Sequence, residues 1–190
     1  MYLRHTSSLP HIYYVHSERD LAEKGACRSF GLAAGYLSTR PLSFVQKNTW
    51  AQLFNRHWKT ACATMAEGIR EIGVDFFTIV PCSRSGVADS IRDALRVAGI
   101  TELPELITKS DASVSFAGKN RAYIAQNSLI RRDFSTLGSS SKLVICDDFS
   151  ETGNTLYGLN AAISSMFGVS SPEIILASVG ISERLAVRSS

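Results

Sequence analysis

The stretch Lys142-Leu-Val-Ile-Cys-Asp-Asp-Phe-Ser-Glu-Thr-Gly-Asn-Thr-Leu156 decides the fold of this 190-residue chain. Its apolar run from Leu143 to Cys146 predicts a buried strand, and two adjacent acids, Asp147 and Asp148, follow it. A turn rich in hydroxyl groups comes next, and an amphipathic helix is expected to open at about Thr155. A strand, loop and helix N-terminus can hold a phosphate, because unpaired backbone N–H groups and the positive end of the helix dipole converge there. The two acids suit sugar hydroxyls, or a metal ion between sugar and phosphate.

Thirteen consecutive positions, 143–155, resemble the signature with which type I phosphoribosyltransferases bind phosphoribosyl pyrophosphate (PRPP). That signature has four apolar strand residues, two acids, two mostly apolar residues, a variable residue and then Thr-Gly-x-Thr, here Thr152-Gly-Asn-Thr155. Ser150 is a departure, since an aliphatic residue is commoner there. The resemblance implies an α/β fold in which a parallel sheet is flanked by helices, with an N-terminal helical or hood segment.

The resemblance also implies roles for the signature residues. Asp147 and Asp148 would hold the 2′- and 3′-hydroxyls of the ribose, directly or through Mg²⁺, and are candidate catalytic residues together with Glu151. The 5′-phosphate would be bound by the residues of the turn, which are Ser150, Thr152, Gly153, Asn154 and Thr155. The plainer alternatives are a strand end that becomes polar at the surface and an ordinary capped helix start.

Glu151 bears on the choice of acceptor. Many members of the family that act on purines carry an acid at this position, where it contacts a ring nitrogen of the base. A carboxylate there could exchange the proton of the attacking or leaving nitrogen. The alternative is a solvated glutamate that the helix dipole favours. We favour the catalytic role, and with it a purine-like acceptor.

A second strand–loop–helix pattern lies upstream, at Val80-Pro-Cys-Ser-Arg-Ser-Gly-Val87. In the resembling family, the loop after this strand grips the pyrophosphate of PRPP. Two hydroxyls, one guanidinium and an exposed backbone suit a multiply charged oxyanion. The candidate residues are Ser83, Arg84, Ser85 and Gly86. Without the signature downstream, the same loop would be taken as a plain turn between strand and helix.

The family usually has a mobile loop between these two motifs, and residues 110–132 occupy its place. Lys119 and Arg121 are the candidate cations that would close over the reaction. A solvated charged loop is the alternative. The implied reaction displaces pyrophosphate from C1 of PRPP by a nitrogen of the base, and Mg²⁺ would neutralise the pyrophosphate.

A second interpretation belongs to another class of protein. The chain would then be a non-catalytic sensor of PRPP or a nucleotide, or an accessory protein in DNA uptake or nucleic-acid processing, with the helix Trp50–Ile72 as an interface. Arg121, Gln126 and Leu129 give a limited likeness to the competence-associated branch of the family. That branch has Arg-Gly-Phe-Asn where this chain has Arg84-Ser-Gly-Val, and an N-terminal cysteine module that this sequence lacks.

Composition and charge narrow the possible classes of protein further. Apolar residues make up 45% and charged residues 19%, as in ordinary globular domains, and neither a membrane span nor a secretory signal is expected. The net charge of +3 suits an anionic ligand, and no basic block predicts nucleic acid as a partner. The four cysteines, at positions 27, 62, 82 and 146, have no zinc spacing and favour a reducing cytoplasm. A homodimer, common in the family, is compatible with all of this.

Along the chain, strands alternate with helices, which favours a parallel sheet with its function at the carboxyl ends of the strands. Residues 1–47 form an N-terminal segment and candidate hood over the acceptor, and residues 48–190 form the phosphoribosyltransferase-like core. The expected strands are 11–16, 75–80, 105–108, 143–146 and 173–180; the expected helices are 18–36, 48–72, 87–98 and 155–167.

Overall fold

A computed structural model of the chain describes residues 3–7, 9–17, 44–81, 85–131, 133 and 137–187. Its strands are β1 (Arg4–His5), β2 (Ile12–Ser17), β3 (Phe76–Ile79), β4 (Thr101–Glu102), β5 (Ile107–Lys109), β6 (Ser128–Ile130), β7 (Lys142–Ser150) and β8 (Glu173–Ile181). Its helices are α1 (Phe44–Ile72), α2 (Ser85–Val97), α3 (Arg121–Gln126), α4 (Asn154–Phe167) and α5 (Glu183–Val187), and a 3₁₀ turn (Gly168–Ser170) follows α4.

Six strands form the central sheet in the order β1-β2-β8-β7-β3-β4. All neighbours are parallel except β1, which pairs antiparallel with β2 at the edge. A second, two-stranded antiparallel sheet joins β5 to β6. The expected fold class, a parallel sheet flanked by helices, is confirmed.

Side chains of β7 alternate between the two faces of the sheet, as the strand geometry requires. Val144 and Cys146 belong to a core that also contains Trp58 of α1 and Ile91 of α2. Leu143 and Ile145 belong to the opposite core, which contains the buried face of α4 (Leu156, Leu159, Ile163). The sheet is therefore covered on both faces, and α4 holds the turn after β7 against one of them.

Most predicted elements lie within a few residues of the observed ones. The main correction concerns β7, which was expected to end at Cys146 and instead continues to Ser150. The extension has a partner, because Asp147 and Ser150 pair in register with Ser178 and Ile181 of β8. Two adjacent polar residues therefore do not end a strand when the neighbouring strand continues beside them.

The N-terminal strands are part of the central sheet, since β2 lies parallel to β8 with Ile12 opposite Leu176. The proposed hood therefore rests on residues 18–43, and these, with the predicted helix 18–36, lie outside the described residues. Cys62 and Cys146 are buried free thiols, as expected. Within the described ranges, no helix is long and apolar enough to span a membrane.

Candidate functional site

The parallel order of β3, β7 and β8 brings the two predicted loops to one edge of the sheet. Ile79, the last residue of β3, pairs with Cys146, and the N–H of Val80 donates to the Cys146 carbonyl oxygen at 2.9 Å. The chain thus leaves β3 directly beside Asp147. Ser83 and Arg84 lie outside the described residues; Ser85 and Gly86 open α2, and their side chains are not described.

The two acids differ in their surroundings although they are neighbours in the chain. Asp147 is 8% exposed, whereas Asp148 is half-buried. The backbone N–H of Asp148 donates to Asp147 Oδ1 at 2.9 Å, and the N–H of Phe149 donates to Asp148 Oδ1 at 2.7 Å. Each carboxyl group is therefore oriented by the backbone and keeps its second oxygen for another partner.

Burial, and then the negative charge of Asp148, raise the pKa of Asp147 well above its usual range. The N–H of Asp148 and the hydroxyl of Ser150 oppose this rise. Ser150 is 4% exposed, and its hydroxyl, although close enough to Asp147 to act on that pKa, forms no hydrogen bond of normal geometry within the described part of the chain. Burial and the neighbouring carboxylate therefore both disfavour the charged form of Asp147.

Gly153 controls the turn between β7 and α4. Its φ of 74° is left-handed, which glycine adopts without the steric penalty of other residues. An added Cβ would also lie 2.7 Å from Tyr157 Cε2 and 2.9 Å from Ile12 Cδ1. The close fit of the backbone against these two side chains requires glycine at this position.

Helix α4 begins at a residue that cannot cap it with a side chain. Gly153 occupies the N-cap position and makes no side-chain hydrogen bond to the first turn. The N–H of Asn154 donates to Thr152 Oγ1 at 3.3 Å, and a helical bond runs from the Tyr157 N–H to the Gly153 carbonyl oxygen. The N-cap residue itself therefore contributes no side-chain cap, and the N–H groups of the first turn that Thr152 does not bond can meet an anion. An ordinary capped helix start stays the alternative to a phosphate site.

Ser182, which the sequence analysis missed, fixes the other side of this turn. Its hydroxyl donates to the carbonyl oxygen of Glu151 at 2.5 Å, and its N–H donates to the carbonyl oxygen of Ser150 at 3.1 Å. The same hydroxyl accepts from the N–H of Leu185 at 3.2 Å. A serine between an apolar strand and a charged helical run is a recognisable N-cap, and that signal was available. The side chains of Glu151 and Thr152 are exposed above this anchored backbone.

Lys119 and Arg121, the candidate closing cations, lie beside the signature turn. The side-chain amide of Asn154 donates to the carbonyl oxygen of Lys119 at 3.3 Å. The Arg121 guanidinium carbon lies 4.1 Å from the centre of the Tyr157 ring. Tyr157 was not singled out from the sequence, because its spacing within α4 is that of an ordinary core residue.

Magnesium is the metal that the resemblance implies, and the acid pair fits it in a limited way. Carboxylate oxygens suit Mg²⁺, which often keeps several waters and takes only one or two protein carboxylates. Across the described ranges, no cluster of three or more His, Cys, Asp or Glu side chains could hold a metal ion. Asp147 and Asp148 could therefore hold Mg²⁺ only together with water and oxygens of a ligand.

No protein-family model matches the chain, and no curated protein gives a significant match. Solved structures do match. A glutamine mutant from an analysis of an invariant aspartic acid in HPRTs is 17% identical, with 69% of this chain and 70% of that chain covered and a TM-score of 0.44. A Trypanosoma cruzi hypoxanthine phosphoribosyl transferase is 16% identical, with coverages of 69% and 67% and a TM-score of 0.41. A Staphylococcus aureus hypoxanthine phosphoribosyltransferase is 14% identical, with coverages of 63% and 61% and a TM-score of 0.38. At these values the similarity assigns neither a family nor an activity to this chain.

Proposed function

We propose that this protein binds PRPP and transfers its ribose 5-phosphate to a nitrogenous base, with a purine-like acceptor favoured and pyrophosphate released. One observation carries the proposal. Strand β7 carries a carboxyl pair of unequal exposure near its end, and three residues after the strand ends at Ser150, the left-handed Gly153 occupies the N-cap position of α4. The acids for the ribose hydroxyls and the N–H groups for a phosphate therefore lie in one short segment, from Asp147 to the start of α4.

In this proposal the acid pair binds the 2′- and 3′-hydroxyls of the ribose. A hydroxyl both donates and accepts hydrogen bonds. Oxygens of both carboxyl groups can accept from these hydroxyls, and Asp147, whose pKa is raised first by burial, can donate when it is protonated. Backbone hydrogen bonds already orient both side chains, so little order is lost when the sugar binds.

The 5′-phosphate binds at the start of α4. Its partners are the first-turn N–H groups, the hydroxyls of Thr152 and Thr155, and the amide of Asn154. The helix dipole favours a negative charge at this point. Ser150 contributes its buried hydroxyl as a further partner of the phosphate, since this hydroxyl forms no hydrogen bond of normal geometry with the described residues.

Pyrophosphate leaves toward the loop after β3, which begins beside Asp147. Ser83, Arg84, Ser85 and Gly86 are its proposed partners there. Asp147 and Asp148 would hold Mg²⁺ through water, and the bound ion would supply positive charge to the pyrophosphate. The transition state resembles an oxocarbenium ion, as in other glycosyl transfers, so the protein mainly supplies position and charge.

Binding of PRPP tests the proposal. Calorimetry with PRPP and Mg²⁺ is expected to show binding to wild type, and a loss of about tenfold or more in the double variant Asp147→Asn/Asp148→Asn. A matched control, Glu71→Gln/Asp93→Asn, removes two exposed charges from α1 and α2 and should bind like wild type. Equal binding by the acid-pair variant, or no binding by wild type, contradicts the proposal.

Pyrophosphate release across a panel of bases tests the transfer step. Release with purines supports the favoured acceptor, whereas PRPP binding without release from any base would indicate the non-catalytic sensor. Glu151→Gln is expected to lower turnover while leaving PRPP affinity unchanged, because the exposed carboxylate would act on the base. Unchanged turnover of every accepted base in this variant would refute the proton-transfer role.

A further inference from the structure

The segment that carries Lys119 and Arg121 is docked on α4. Ile124 of α3 is fully buried. An added Cβ on Gly158 of α4 would lie 2.8 Å from Ile124 Cβ and 2.9 Å from the Arg121 carbonyl oxygen. The backbones of the two helices therefore approach as closely as glycine allows. This contact, with the bond from Asn154 to the Lys119 carbonyl oxygen, fixes the segment to the helix that follows the signature turn.

Arg121 is exposed and lies on an aromatic platform. Its guanidinium carbon lies over the Tyr157 ring, 4.1 Å from the ring centre, and the guanidinium forms no ion pair with any acid in the described ranges. Three other arginines are neutralised, since Arg92 and Arg96 bridge to Glu102, and Arg131 pairs with Asp133. An aromatic ring beneath a guanidinium restricts its orientation. The N–H groups lie in the plane of the guanidinium and remain available to an anion.

The Tyr157 ring connects this cation to the signature turn. One ring edge lies against Gly153, where an added Cβ would meet Cε2 at 2.7 Å. The guanidinium lies over the same ring. Gly153 occupies the N-cap position of α4, so the Tyr157 side chain contacts both the cation and the turn that forms the proposed phosphate site.

We propose that Arg121 is a fixed cationic partner of the 5′-phosphate group, positioned by Tyr157, and that residues 119–124 form a wall of the phosphate pocket. This inference rests on the proposed function. It differs from the expected role of a mobile cation that closes over the pyrophosphate. The physical reason is preorganisation: a guanidinium already held by stacking loses less freedom when it binds a phosphate than one on a free loop.

Three variants distinguish a cationic partner of the 5′-phosphate from a mobile cation that closes over the pyrophosphate. Arg121→Gln removes the charge, Arg121→Lys keeps the charge without the planar fork, and Arg70→Gln is the matched control. Arg70 is exposed in the last turn of α1, which leads to the amino end of β3, at the sheet edge opposite to the site. Each variant is titrated by calorimetry with PRPP and, separately, with inorganic pyrophosphate, both with Mg²⁺.

We expect Arg121→Gln to weaken PRPP binding by about tenfold or more and to leave pyrophosphate binding unchanged. Arg121→Lys should fall between that variant and wild type, and Arg70→Gln should match wild type. If wild type binds PRPP and Arg121→Gln binds it equally well, the inference fails and the proposed function stands. Equal losses for PRPP and pyrophosphate also overturn it, because they indicate a cation on the pyrophosphate. If wild type binds no PRPP, both proposals fail.

Discussion

The hydroxyl of Ser182 donates a hydrogen bond to the carbonyl oxygen of Glu151, although 31 residues separate them. The end of β8 thereby holds the turn that follows β7. Because Ser182 Oγ also accepts from the N–H of Leu185, one buried side chain fixes both the turn and the start of α5. The backbone of the proposed proton-transfer residue is thus positioned from outside the signature.

Ser182→Ala should lower the free energy of unfolding by about 1–2 kcal/mol, because a helix cap and a buried hydrogen bond are lost together. It should also lower turnover more than PRPP affinity, since Glu151 would be less well positioned. Chemical denaturation and steady-state kinetics measure the two effects. Ser171→Ala, near the amino end of β8, is the control and should change neither. Wild-type stability in Ser182→Ala would show that the hydroxyl is not an anchor.

The raised pKa of Asp147 has a consequence for stability. Between the pKa of the unfolded chain and the higher pKa of the folded protein, the folded state binds more protons, so stability falls as pH rises. Asp147→Asn should therefore be more stable than wild type at neutral pH, by about 1 kcal/mol or more, because no charge needs to be buried. The gain should shrink in acid, where the wild-type carboxyl is neutral. Denaturant unfolding at several pH values measures it.

Asp111 provides a comparison in which the Asp→Asn change should alter stability at neutral pH in the opposite direction. Hydrogen bonds from Ser113 lower the pKa of this exposed acid, so its contribution is present at neutral pH and is lost as the pH falls. Asp111→Asn should therefore reduce stability at neutral pH. A loss of neutral-pH stability in Asp147→Asn as well would mean that Asp147 is held as a favourable charge, contrary to its burial.

Gly153→Ala should reduce the free energy of unfolding by at least about 2 kcal/mol, because it combines a left-handed conformation with contacts against Tyr157 and Ile12. It should also abolish measurable PRPP binding. Gly118→Ala is the control, since Gly118 has a φ of 71° with nothing within 4 Å of an added Cβ. That variant should cost only about 1 kcal/mol. Equal losses in both variants would show that conformation alone, without close packing, determines the cost.

The layers of this fold could be predicted from periodicity. Trp58, Met65 and Ile69 recur at helical spacing and are buried together on α1. The apolar run before Asp147 is a central strand, as expected. Both predictions depend on local patterns, which the sequence contains in full.

Relationships that depend on docking could not be predicted in the same way. Ile12 lies against Gly153 only because β2 joins the sheet beside β8, and no local pattern specifies that neighbour. In the sequence, Gly158 is an isolated glycine that lowers the helix propensity of its segment. The structure explains the glycine by a close contact with Ile124, 34 residues earlier, which forms only when α3 packs on α4.

Gly158→Ala tests whether that packing matters for ligand binding. The added Cβ would lie 2.8 Å from Ile124 and 2.9 Å from the Arg121 carbonyl oxygen, so α3 must move outward. Alanine favours the helix by about 1 kcal/mol, and overpacking costs about 1–3 kcal/mol, so the net loss of stability should be small. Amide hydrogen exchange in residues 121–126 should nevertheless become faster, because the docked helix is loosened locally.

PRPP affinity should fall in the same variant, since Arg121 would move away from the Tyr157 ring. Gly138→Ala is the control, because an added Cβ there meets nothing within 4 Å and the residue lies outside the α3–α4 contact. Faster exchange with unchanged PRPP affinity would separate the packing of α3 from ligand binding and argue against a fixed wall. Unchanged exchange would show that α4 absorbs the methyl group elsewhere, so that the closeness of the two backbones does not position Arg121.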